Sequence, residues 1–126
     1  MRRGRYYLGR VVKINLDQQS LMDAMTNAPI ITIGKFDWTI TDIEDNRNNE
    51  FPFIFGKLSK YAKDGHAKVI DEINRSQIET DVPNLLEASS SFVYLPECSG
   101  IAFLHVWNGI QEDVFPRRFK SVIEAA

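Results

Sequence analysis

The sequence predicts an α+β domain, an antiparallel sheet of about five strands with two helices packed on one face. Three observations carry this expectation. The stretch from Ser91 to Trp107 reads as two apolar arms, Phe92 to Leu95 and Ile101 to Trp107, joined by a turn through Pro96, Glu97, Cys98, Ser99 and Gly100. Upstream of it, apolar residues alternate with polar ones near Tyr6–Leu16, Ile30–Ile43 and Phe51–Tyr61, the period of a half-buried strand. Near residues 18–27 and 111–125 the apolar residues recur at helical spacing instead.

In chain order, Tyr6, Leu8, Val12, Ile14 and Leu16 share a face, interrupted by Arg10, and make a first strand. A helix over Gln18–Asn27 follows, capped by Asp17 or Ser20, with Leu21, Met25 and Ala28 as its apolar stripe, Met22 alongside, and Pro29 as its stop. Ile30–Ile43 reads as one continuous second strand. Residues 43–50, without an apolar residue after Ile43, read as a polar, mobile hairpin loop, of which residues 44–50 are expected to be dispensable for folding. The acids there (Asp42, Glu44, Asp45, Glu50) lack the alternate-position spacing and central Gly of a calcium loop. Phe51, Phe53 and Phe55 begin a third strand that pairs back on the second and runs to about Tyr61.

Residues 67–88 carry mixed signals. Val69, Ile70 and Ile73 suit a helix or a strand, and Pro83 with the run 84–91 suits extended structure with turns. The reading taken is a turn at Asp64-Gly65, a strand near Lys68–Glu72, an irregular crossing and re-entry at Ser91. The arm Ile101–Trp107 is apolar on both faces, apart from His105, and is therefore expected at the sheet centre, covered on both sides. Asn108-Gly109 breaks it, and a helix over Gln111–Ala125 presents Phe115, Phe119, Val122 and Ile123 on one side, with Pro116 in its first turn.

Length and composition are those of one domain spanning residues 1–126, and the end on Glu-Ala-Ala is compatible with the leading domain of a longer protein. One cysteine, Cys98, excludes an internal disulfide and points to a reducing, cytoplasmic setting. No apolar run approaches the length of a membrane span, so no membrane partner is expected. A net charge of −2 gives no global attraction to nucleic acid.

The search for chemistry is thin. Cys98 sits beside Glu97, which disfavours a reactive thiolate, and no glycine elbow surrounds Ser89–Ser91. No phosphate loop, zinc spacing or dinucleotide fingerprint is present, so neither a cofactor nor a metal is expected. His105, with Glu72 or Asp71 as an acidic companion, is a weak candidate general base for a metal-free ribonuclease, against a packed core histidine between Phe103 and Trp107. Two basic stretches stand out. Arg2, Arg3, Arg5 and Arg10 precede the first acid, Asp17, and Lys57, Lys60 and Lys63 lie around Tyr61. They would carry a nucleic-acid-binding or RNA-processing role, although basic edge residues also discourage sheet-to-sheet pairing. The first reading is a non-catalytic binding or assembly domain that engages a protein partner or itself, because two short helices leave an aromatic-rich sheet partly uncovered. Nucleic-acid binding is the alternative, and an enzyme comes third.

Overall fold

A computed structural model describes residues 4–12, 16–106 and 109–126. Among these residues the chain forms β1 (Tyr6–Arg10), α1 (Gln18–Thr26), β2 (Ile31–Ile33), β3 (Phe36–Asn46), β4 (Phe53–Asp71), β5 (Ser76–Leu95), β6 (Gly100–Leu104) and α2 (Val114–Glu124). The strands make one sheet in the order β1-β6-β5-β4-β3-β2, every neighbour antiparallel. The α+β class therefore holds, with six strands rather than about five.

The extra strand comes from Gly34, whose φ of 65° closes a tight turn that splits the expected Ile30–Ile43 strand into β2 and β3. Strands β2 to β6 follow one another as a meander, whereas β1 adds beside β6 at the opposite edge from β2. The chain from β1 to β2 must therefore cross the sheet, and α1 is that crossing. Asp17 caps it by accepting the Ser20 amide at 2.7 Å, a bond that also holds the Asp17 carboxyl below its ordinary pKa.

Directly paired residues place their side chains on the same face of a sheet. Trp38, Ile40, Ile54, Leu58, Phe92, Tyr94, Ile101 and Phe103 fall on one face by this register and are buried in a single core with Leu21, Met22 and Met25 of α1 and Phe115, Phe119 and Val122 of α2. Phe115 is the hinge of that core. Its ring stacks on Phe103 at 4.3 Å with 2° between the planes, and it meets Phe92 edge-on at 5.8 Å and Phe119 at 5.5 Å.

Three expectations need correction. Strand β6 is not at the centre; it lies second from the edge, between β1 and β5, and the helices cover it on one face only. Residues 67–90 contain no crossing, because β4 and β5 pair from Ile54↔Tyr94 to Asp71↔Ser76 with a single register shift between Lys60 and Tyr61. The loop after β3 is not a loose appendage. Glu44–Asn46 belong to β3, and the Arg47 side chain is 9% exposed, bonded to Asp45 at 2.9 Å and to Asp23 of α1 at 2.7 Å. Arg47 thus ties the end of the β3–β4 hairpin to the crossing helix.

Two outcomes test this packing. Phe103→Ala removes the stacking partner of Phe115 and should cost about 3–5 kcal/mol in denaturant unfolding, the range for deleting a buried large aromatic. A midpoint unchanged from wild type would contradict the core described above. Arg47→Ala should cost about 1–3 kcal/mol, since it strips charged hydrogen bonds from two carboxylates. The guanidinium holds the Asp45 carboxyl below its ordinary value of 3.8, chiefly through the side-chain hydrogen bond. That contribution is complete above the unfolded value and is lost as pH falls through the lower folded one. Thermal melts below about pH 4 should therefore fall more steeply for wild type than for Arg47→Ala.

Candidate functional site

Past Tyr61 of β4 and before Leu86 of β5, neither strand has a further neighbour. Strand β3 stops pairing at Asp37↔Tyr61, and β6 pairs only with Phe92–Leu95. Residues 62–85 therefore leave the sheet as a two-stranded arm, about 33 Å long from Tyr61 to Asp71 at the rise of an extended chain. At the tip, Asp71 accepts the backbone and side-chain amides of Asn74, which chiefly lower its carboxyl pKa, and the amide of Ile73, and Arg75 takes a φ of 50°. Near the base, a Cβ on the buried Gly65 would collide with Leu85 and with the Val82 carbonyl at 2.7 Å, so the two strands coil against each other there.

A bulge decides which way this arm faces. Lys60 pairs with Ala88 but Tyr61 pairs with Leu86, leaving Glu87 as the extra residue. Beyond the bulge, the pairs Tyr61↔Leu86, Gly65↔Val82, Ala67↔Thr80 and Val69↔Ile78 continue the sheet face that lacks helices. The opposite face of the arm is charged, with His66 Nδ1 2.9 Å from Asp81 and Lys68 opposite Glu79. The apolar strip is left in solvent: Leu86 is 58% exposed and Ile78 45%, and Ile73 at the tip is 93% exposed. A two-stranded ribbon of this kind has little stability of its own in water.

The uncovered face of the sheet has two halves. Around the base of the arm, Thr39, Thr41, Ser59 and Ser89 surround Lys57 and Tyr61 in a shallow concavity of about 450 Å³. Thr41 and Ser59 hydroxyls lie 2.9 Å apart, and Thr32 donates to Asp37 at 2.6 Å. Partial burial, and secondarily the Asp37 carboxylate, raise the Tyr61 phenol pKa. Toward the other edge the face turns apolar, where Tyr6 and Leu8 of β1 lie opposite Leu104 and Ala102 of β6 and stand 59% and 86% exposed. On the helix side, a separate apolar cavity of about 490 Å³ opens between β1, β6 and α2, lined by Ile101, Phe103, Phe115 and Phe119.

The candidates drawn from the sequence do not converge. His105 is buried, stands 5.8 Å from the Tyr7 ring, and accepts the Glu112 amide through Nδ1 at 3.1 Å, just ahead of α2. An Nδ1 that accepts this proton carries none itself, so the 3.1 Å approach of the Glu112 carboxylate is an ion pair only if the amide bond is given up. The amide bond holds the ring just ahead of α2, whose own first amides, those of Val114 and Phe115, are each accepted by the Gln111 carbonyl at 3.0 Å. Glu72 lies at the arm tip, roughly 45 Å of extended strand from the β5 residues that flank His105, so the two form no acid–base pair.

Arg2 and Arg3 lie outside the described residues, as does Trp107. Arg5 and Arg10 flank β1, at the edge strand remote from β4. Lys57 and Lys63 fall on the open face, whereas Lys60 turns to the helix side and sits 4.2 Å over the Phe36 ring and 5.7 Å from Trp38. Cys98 is exposed, and among the described residues no group of three or more His, Cys, Asp or Glu is placed to hold a metal ion. Among them, too, no helix is long and apolar enough to cross a membrane. The signal that sequence reading passed over was the period-2 set Gly65, Ala67 and Val69 facing Ile78, Thr80 and Val82, which marks one hairpin once the two segments are aligned antiparallel.

The three lysines should separate on mutation. Lys60→Ser should lower stability by about 0.5–1 kcal/mol through the lost cation–π contact, while Lys57→Ser and Lys63→Ser leave the melting temperature near wild type. Equal effects at all three would contradict the opposite-face placement. The chain matches no protein-family model, no curated protein and no solved structure.

Proposed function

We propose that this chain is a non-catalytic assembly domain that docks a protein partner through its arm and the open sheet face at the arm's base. The observation that carries the reading is the arm itself: 24 residues held clear of the core, with an apolar strip turned to solvent. Contiguous exposed apolar surface on a folded chain is the usual mark of an interface. Edge and arm strands also present backbone donors and acceptors that a partner can pair with.

The nucleic-acid alternative draws less support. Residues 62–85 contain five acids against three Lys or Arg, and the basic side chains of β1 and β4 lie on both faces of the sheet and on strands separated by β6 and β5. Phosphate binding needs such charges gathered on one surface. Catalysis has only His105 behind it, and that ring is engaged at the start of α2.

Shortening the arm tests the proposal. Deleting residues 67–80 and joining His66 to Asp81, which are directly paired, through Asn-Gly should leave the fold intact and the stability within about 0.5 kcal/mol. In extracts of the source cells, the full chain should sediment in a complex larger than its own 14.5 kDa, and the shortened chain should not. Identical sedimentation of the two would refute the arm as a docking element.

A further inference from the structure

Resting on that reading, we infer that the partner is a second copy of this chain, with each arm laid across the open β1–β6 end of the other copy's sheet. The chain exposes 8725 Å². A compact monomer of 14.5 kDa exposes about 6,900 Å² by the usual scaling of surface with mass. The excess, roughly 1,800 Å² on one chain, is more than the about 800 Å² that each partner of a standard stable interface removes from water. The arm accounts for that excess, since nearly all of residues 68–81 are exposed.

The two surfaces are complementary in polarity along the arm and in charge at its tip. Of the five acids in residues 62–85, Asp64, Glu79 and Asp81 lie on the arm's charged face, away from the apolar strip, and Asp71 and Glu72 lie at the tip. At the β1 edge the open face carries Arg10, and no acid precedes Asp17 in the chain. Arg10 lies in register with Tyr6 and Leu8, so all three belong to the open face. There the exposed Tyr6 and Leu8, with Ala102 and Leu104 beside them, offer apolar surface to the Val69–Ile78 strip of an incoming arm. Reach is sufficient. A 33 Å arm exceeds the roughly 24 Å width of a six-stranded sheet at the usual strand spacing.

A two-fold axis makes the contact reciprocal, so each pair of copies forms it twice and the assembly closes as a dimer. The arm tip, at Glu72, then approaches Arg10 of the other copy.

Sedimentation equilibrium of the purified full chain over micromolar concentrations is the test. The expected result is a dimer that persists at high salt, because apolar contact supplies most of the association. Val69→Ser with Ile78→Ser, both on the exposed arm, should shift the chain to monomer without changing its circular dichroism. Glu72→Arg alone and Arg10→Glu alone should each weaken the dimer roughly tenfold, as an ion pair becomes a like-charge contact, and the double variant should recover it. A wild-type monomer at all concentrations overturns the inference. If the full chain nevertheless sediments in a larger complex in cell extracts, the assembly reading survives with a different partner; if it does not, both fail. A dimer indifferent to the Val69 and Ile78 changes, or a double variant no tighter than the single ones, overturns the placement of the arm.

Discussion

The antiparallel ladder between β4 and β5 is the constraint on which the rest of the structure depends. It runs from Ile54↔Tyr94 to Asp71↔Ser76, so the same two strands supply the middle of the sheet and the whole of the arm. In the sheet, its side chains Ile54, Leu58, Phe92 and Tyr94 form the floor on which both helices rest. In the arm it has no floor, and the ribbon is held by its ladder hydrogen bonds and by cross-strand contacts such as His66 with Asp81 and Gly65 with Leu85. The bulge at Lys60/Tyr61 is the junction between these regimes, since one extra residue moves Leu86 from the core side to the open face.

The helices can protect only one face. Helix α1 is fixed as the crossing from the β1 edge to the β2 edge, capped by Asp17 at its start and tied through Asp23 to Arg47 at the far hairpin. Helix α2 is fixed by Phe115 and Phe119 against Phe92 and Phe103. Nine and eleven residues of helix are spent on that single layer, and the described chain has no helix left for the other face. That is why Ser, Thr and Lys line one half of the open face while Tyr6 and Leu8 remain exposed on the other. The asymmetry between a finished core and an unfinished face is the physical basis for reading the protein as part of an assembly.

Much of the fold was legible. The helix at 18–26 could be read from Asp17 and the Leu21, Met22, Met25 stripe, and the final helix from Phe115, Phe119 and Val122 with Pro116 in the first turn. The Leu95–Gly100 turn between β5 and β6 was equally plain. The missed signal of the Gly34 turn is a change of phase. The apolar residues move from the odd positions Ile31 and Ile33 to the even positions Phe36 and Trp38, and they share a face only because the chain reverses between them. The arm was missed for a different reason. Its apolar residues face solvent rather than core, so Val69 and Ile70 carry no burial signature, and Pro83 resembles a strand end. The candidate site was correspondingly less legible than the fold, as charge runs such as Lys57–Lys63 do not reveal that Lys60 faces Phe36.

What the sequence by itself determined is local: helix caps, turn residues, strand alternation and the class of the fold, all properties of neighbours within a few positions. Only the tertiary structure decided which strand lies beside which, which sheet face stays open, and that His105 accepts the Glu112 amide rather than pairing with Glu72. Those outcomes turn on pairing between residues far apart in the chain, such as Val69 with Ile78 and Tyr7 with Phe103. A single inserted residue at a bulge reverses the facing of everything beyond it, and no local pattern records that choice.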